Sequence, residues 1–110
     1  MRQILRHIAE HAITRPLQVA LQDESIALTY AELSQEINFA VEAIGGRRVA
    51  LWMDNSCAWA VTDLALARQG SIAVPVPPFF SVGQVAHLLA DARPDLVVTT
   101  QPDPVGALLG

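Results

Sequence analysis

The stretch Arg48-Val49-Ala50-Leu51-Trp52-Met53-Asp54-Asn55-Ser56-Cys57 decides the fold class. Its first half is a continuous apolar run, the pattern of a strand buried on both faces, and such strands belong to parallel sheets covered by helices. Its second half supplies Asp54, Asn55 and Ser56, residue types whose side chains accept from the free N–H groups at a helix start. A helix is therefore expected from Cys57 to Gln69, closed by Gly70. The grammar then repeats. Ser71–Val76 is a second short apolar strand, halted by Pro75, Pro77 and Pro78. Ser81 and Gln84 have capping-box spacing, and Val85, Leu88, Leu89 and Ala92 share one face of the helix they open, before Pro94 bars its continuation. Leu96-Val97-Val98-Thr99 is a third strand. A βαβαβ order at this spacing predicts an α/β fold, a short parallel sheet with flanking helices and right-handed crossovers.

Upstream, residues 1–47 read as a lead-in. Ile4, Leu5, Ile8, Ala9 and Ala12 repeat at three and four, so a helix runs from Arg2 to about Thr14 and ends before Pro16. Gln18–Gln22 and Ile26–Thr29 flank the turn Asp23-Glu24-Ser25 and predict a small hairpin. Thr29 with Glu32 has capping-box spacing, and Leu33, Ile37, Val41 and Ile44 form one apolar stripe ended by Gly45-Gly46. The organisation is thus a lead-in over 1–47, a βαβαβ unit over 48–100 and an interrupted tail over 101–110, all within one domain.

Composition excludes several chemistries. Hydrophobic residues make up 52% of the 110 and charged ones 16%, too apolar for a disordered chain. All seven basic residues are arginine, so neither a phosphate-loop lysine nor a Schiff-base lysine exists here. A net charge of −4 removes the main driving force for nucleic-acid binding. One cysteine forbids an internal disulfide. No apolar run approaches the ~20 residues that span a bilayer, and charges at Arg2 and Arg6 interrupt any signal peptide, so a cytoplasmic location is expected.

Four features invite a chemical reading, each with a plainer one beside it. His7-Ile8-Ala9-Glu10-His11 spells the inverted zinc-protease motif, but a catalytic zinc needs a third protein ligand and His87 is the only other histidine. The plainer reading is a solvated polar helix face. Cys57 at a helix start would have its thiol acidified by the dipole, and His87 would serve as its base. Nothing in the sequence brings them together, and a small packing residue is the simpler role. The turn after Met53 lies where open α/β sheets bind phosphate, yet it has no glycine and carries Asp54, so capping is the expected job of Asp54, Asn55 and Ser56. Val74-Pro75-Val76-Pro77-Pro78-Phe79-Phe80 is read as a rigid corner with both phenylalanines packed inward, and Trp52 and Trp59 as core. No catalytic, cofactor-binding or metal-binding residue is assigned.

The order of pieces resembles the N-terminal region of the adenylate-forming, AMP-binding enzymes, which comprise acyl- and aryl-CoA synthetases, peptide-synthetase adenylation domains and luciferases. The resembling stretches are Leu28-Thr29-Tyr30-Ala31-Glu32-Leu33, Arg48-Val49-Ala50-Leu51, Asn55-Ser56-Cys57-Ala58-Trp59, Gly70-Ser71-Ile72-Ala73-Val74-Pro75-Val76 and Val85-Ala86-His87-Leu88-Leu89-Ala90-Asp91-Ala92. Asp54 stands where the family often has proline and Ala58 where it often has an acid. The resemblance implies a piece of a larger N-terminal domain, with Tyr30, Leu33, Trp59 and Pro75 as framework. It implies that the parent enzyme uses ATP and magnesium to make an acyl-adenylate and passes the acyl group to coenzyme A, as in fatty acid metabolism. The family's phosphate loop, adenine and ribose motifs and catalytic lysine have no counterpart in this sequence. The leading expectation is an acyl-CoA synthetase-like fragment, inactive alone, whose partners are the remainder of its domain or further copies meeting through exposed apolar surface. The alternatives are a stand-alone α/β binding or self-association module and a fragment of a peptide-synthetase adenylation domain.

Overall fold

The computed structural model describes residues 2–45, 48–54 and 56–99. Along the chain lie α1 (Arg2–Thr14), β1 (Val19–Gln22), β2 (Ala27–Thr29), α2 (Tyr30–Ile44), β3 (Arg48–Trp52), α3 (Cys57–Gln69), β4 (Ile72–Pro75), α4 (Val82–Ala92) and β5 (Leu96–Thr99). The expected tail at 101–110 lies outside the described residues.

Strand β3 is central in a parallel sheet of order β4-β3-β5, and β1 and β2 form a separate antiparallel pair. Val49 pairs with Ala73 and Leu96, and Leu51 with Pro75 and Val98. Because side chains alternate across a strand, Val49 and Leu51 face Ile44 and Leu66. Ala50 and Trp52 face Val76, Val85 and Leu89. The result is three layers, with α2 and α3 on one face of the sheet and α4 on the other. Val49 and Ala50 are wholly inaccessible to solvent, as the continuous apolar run requires. A second core joins α1, α2, α3 and the hairpin through Ile8, Leu33, Ile37, Val61, Leu64 and Ala65.

Caps set the helix boundaries. Thr29 and Ser81 close reciprocal capping boxes with Glu32 and Gln84, and Ser56 Oγ accepts from the Trp59 N–H at 3.1 Å. Gly70 ends α3 in the left-handed region, at φ 72°, where an L side chain would be strained. Arg93 ends α4 in the same region, immediately before Pro94. The foot of β3 is stapled to the connection between α4 and β5. Arg48 Nη1 donates to the Ala92 carbonyl at 2.8 Å, and the Arg48 and Asp95 amides donate to the Asp95 carboxylate and the Arg48 carbonyl.

Two expectations need correction. Pro75 does not halt β4 but is its last residue, tolerated because β4 is an edge strand. Phe79 does not pack inward: it is 84% exposed, while Phe80 tucks into the α4 side of the core and meets the Phe79 ring edge-on at 5.5 Å. The Phe80 N–H closes a turn on the Pro77 carbonyl at 3.1 Å, and Phe79 stands exposed within it. Among the described residues no helix is long and apolar enough to cross a membrane.

Candidate functional site

In open parallel sheets ligands collect at the carboxyl ends of the strands, where helix N-termini offer free N–H groups. Here those ends are followed by α3 and α4. The N-terminus of α3 is already occupied by a carboxylate of the protein itself. Asp23, in the hairpin turn, accepts the Cys57 N–H at 2.9 Å through Oδ2 across 34 positions of sequence. Its Oδ1 accepts the Ser25 and Ile26 N–H groups, both at 2.8 Å. The bonds from Cys57, Ile26 and Ser25 hold the Asp23 carboxyl down at about 2. At α4 the capping box consumes a later donor: the Gln84 N–H, at the third helical position, reaches Ser81 Oγ at 3.2 Å, and the Ser81 N–H reaches Gln84 Oε1 at 2.8 Å.

At α3 the first helical N–H is thus already held by a carboxylate of the chain itself. Asp23 sits where a phosphate would dock at α3, and lysine is absent from the whole sequence. These residues do not fit ATP and magnesium, and no step through them is derived from this chain. Asp54 is exposed, and Ser56 caps α3; Asn55 lies outside the described residues.

Cys57 is 3% exposed, with its sulfur 3.9 Å from the Ile26 carbonyl. Burial pushes the thiol up, and the Asp23 charge adds to the shift. This is the reverse of the activation a helix start gives when solvent and cations surround it. His87 is not its partner. That ring lies on the exposed face of α4, 3.3 Å from the Asp91 carboxylate one turn on, whereas Cys57 lines a groove between the hairpin, α2 and α3.

The zinc-protease spelling resolves into a stack of rings. His11 Nδ1 donates to the His7 carbonyl at 2.9 Å, the two imidazole centroids stand 4.0 Å apart, and the Tyr30 ring packs on His11 with centroids 4.8 Å apart. His7 and Glu10 are exposed as a solvated face requires, but His11 is half-buried, because Tyr30 of α2 packs on it. Among the described residues no three His, Cys, Asp or Glu side chains gather to hold a metal ion.

The residue that sequence reasoning missed is Asp23. An aspartate two positions before a serine signals a turn that bonds its own backbone. No local pattern signals that its second oxygen caps a helix 34 positions later.

The sequence profile of the AMP-binding enzyme family matches residues 8–109. The chain is similar to the nonribosomal peptide synthetase CymA of Salinispora arenicola, 34% identical over 94 residues, which is 80% of this chain and 1% of that protein. It is 33% identical over 93 residues to the human mitochondrial medium-chain acyl-CoA ligase ACSF2, covering 79% of this chain and 15% of the ligase. Among solved structures, the inhibitor-bound N-terminal domain of FACL13 from Mycobacterium tuberculosis superposes with a TM-score of 0.78 at 25% identity, over 96% of this chain and 28% of that domain. The anthranilate CoA ligase AuaEII with anthranoyl-AMP shares the fold, at a TM-score of 0.84 and 19% identity over 96% of this chain and 22% of AuaEII. The chain thus spans between 1% and 15% of the curated relatives named here. A profile running from α1 past β5, on a fold shared with an adenylate-forming N-terminal domain, makes the chain a member of the AMP-binding enzyme family.

Proposed function

We propose that the chain is the amino-terminal portion of an ATP-dependent acid–thiol ligase of the acyl-CoA synthetase type, and that these residues alone turn over nothing. In that reaction a carboxylate attacks ATP to give an acyl-adenylate and pyrophosphate. A thiol then displaces AMP to give a thioester. The described residues serve it as framework: Leu33 and Trp59 hold α2 and α3 against the hairpin and the sheet. ATP, magnesium and coenzyme A belong to the rest of the enzyme, as does the acid pocket, and the cytoplasm is the expected compartment.

The observation that carries this reading is the family match over residues 8–109, combined with an α3 start whose first N–H is already held by Asp23. The similarity to medium-chain acyl-CoA ligases supports a fatty acid as the substrate class. The similarity to CymA favours a second reading, a peptide-synthetase adenylation domain that activates an amino acid.

Pyrophosphate release is the test. The 110-residue chain with ATP, magnesium and a panel of carboxylic acids is expected to release none, and turnover by it overturns the proposal. The protein extended past Gly110 is expected to convert medium-chain acids and coenzyme A to thioesters. Exchange of pyrophosphate into ATP driven by amino acids, without loss of free coenzyme A, selects the second reading.

A further inference from the structure

The end of α3 remote from Asp23 holds a different feature. A cavity of about 480 Å³ opens where α1, α2 and α3 meet, with one polar cluster drawn from all three: Arg6 from α1, Ser34 and Asn38 from α2, and Arg68 from α3. Ile8 and Ile37 form its apolar floor. Ser34 and Asn38 are one turn apart and so share a helix face. Arg68 Nη1 donates to Asn38 Oδ1, which fixes one edge of the guanidinium and leaves the Asn38 amide hydrogens free to donate elsewhere.

The charges are unbalanced. The chain as a whole is acidic, with eleven Asp and Glu against seven Arg. Yet among the described residues the one ion pair is His87 with Asp91 on α4, and no carboxylate pairs with Arg6 or Arg68. Arg6 and Arg68 are both exposed and line the same depression, so an anion lodged there would be within the field of both guanidiniums. Guanidinium forks match the oxygens of a phosphate in paired hydrogen bonds, and the Ser34 hydroxyl and Asn38 amide add neutral donors beside them. A phosphate group fills only part of such a volume, and what remains is bounded by Ile8 and Ile37.

We propose that this three-helix junction is a binding site for a phosphate group carried on a small apolar body, held by Arg6 and Arg68. The site is independent of the family reaction, since it lies at the opposite end of α3 from the carboxyl edge of the sheet. It stands or falls whichever acid the whole enzyme activates.

Thermal unfolding and amide chemical shifts of the 110-residue chain test it, with phenyl phosphate, inorganic phosphate and benzoate each compared with sodium chloride at equal ionic strength. Phenyl phosphate is expected to raise Tm in a saturable way and to shift the Ser34 and Asn38 resonances. Arg6→Gln and Arg68→Gln are each expected to weaken it by about tenfold or more, the loss typical of a hydrogen bond to a charged group. Arg15→Gln, outside the cavity, is expected to leave it unchanged. Arg68→Lys, which keeps the charge and loses the fork, is expected to fall between; it also serves where Arg68→Gln does not fold. Equal stabilisation by inorganic phosphate supports the site and names free phosphate as its ligand. Stabilisation no greater than with chloride, benzoate outperforming both phosphates, or full binding by both glutamine variants overturns the proposal.

Discussion

Asp23 does two jobs with two oxygens. One closes the hairpin turn on itself and the other caps α3, so a single carboxylate ties together segments that hydrophobic patterning treats as separate. Its ionised form is favoured by folding, since its carboxyl sits at about 2 against an ordinary 3.8. The stability it lends is therefore complete above the unfolded value and is lost as pH falls through about 2. Asp23→Asn is expected to lower Tm at pH 7, and the gap from the wild type is expected to narrow as pH drops from about 4 to 2; a gap independent of pH refutes the account. The same carboxylate shields Cys57. The thiol should react with an aromatic disulfide reagent at least about a hundredfold more slowly in the native chain than in urea, because the thiolate is the nucleophile and native burial suppresses both its formation and its exposure. Rapid native labelling would show that the groove beside Cys57 opens. Little of this was readable from the sequence: turn propensity places Asp23, but the partner of a side chain that reaches across the fold is fixed only by tertiary packing.

Elements were far more legible, because their signals are local. Thr29 with Glu32 and Ser81 with Gln84 mark two helix starts by spacing alone, and both boxes form. Gly70 marks the end of α3 through the one backbone region that side chains resist. Thr29→Ala and Ser81→Ala are each expected to destabilise by about 1 kcal/mol in urea titrations, the usual loss on removing a cap. At Gly70 an added Cβ meets nothing within 4 Å, so only backbone strain opposes substitution. Gly70→Ala should lose roughly 1–2 kcal/mol, and Gly70→Asn less, since asparagine tolerates left-handed backbone. Where local reading failed, the deciding information was not local. Nothing in Pro77-Pro78-Phe79-Phe80 says which ring turns inward, and nothing around His11 announces that Tyr30 packs on it.

At the scale of the molecule, the three layers share residues rather than abut. Leu66 is 1% exposed and reaches the sheet, while its neighbours Leu64 and Ala65 serve the helical core. Leu66→Ala is expected to cost about 2–5 kcal/mol and to broaden the transition, as the cavity it leaves cannot collapse against a fixed sheet. The Cα radius of gyration is 14.9 Å, larger than the ~13 Å typical of a compact chain of about 100 residues. That excess accompanies Ile13, Leu17, Phe39 and Phe79 standing exposed. Sedimentation of the 110-residue chain should therefore show concentration-dependent association, and a single species across a wide concentration range would argue for a self-sufficient module.

The proline that closes β4 carries one more implication. Val76 donates to the Leu51 carbonyl at 2.8 Å, so in a parallel ladder Pro75 between Val74 and Val76 aims its backbone away from β3. A neighbour arriving on that flank would find a carbonyl to donate to but no amide hydrogen answering it. The open flank of β5 presents Val97, which keeps both groups. Lateral growth of the sheet is thus polarised, invited beside β5 and discouraged beside β4.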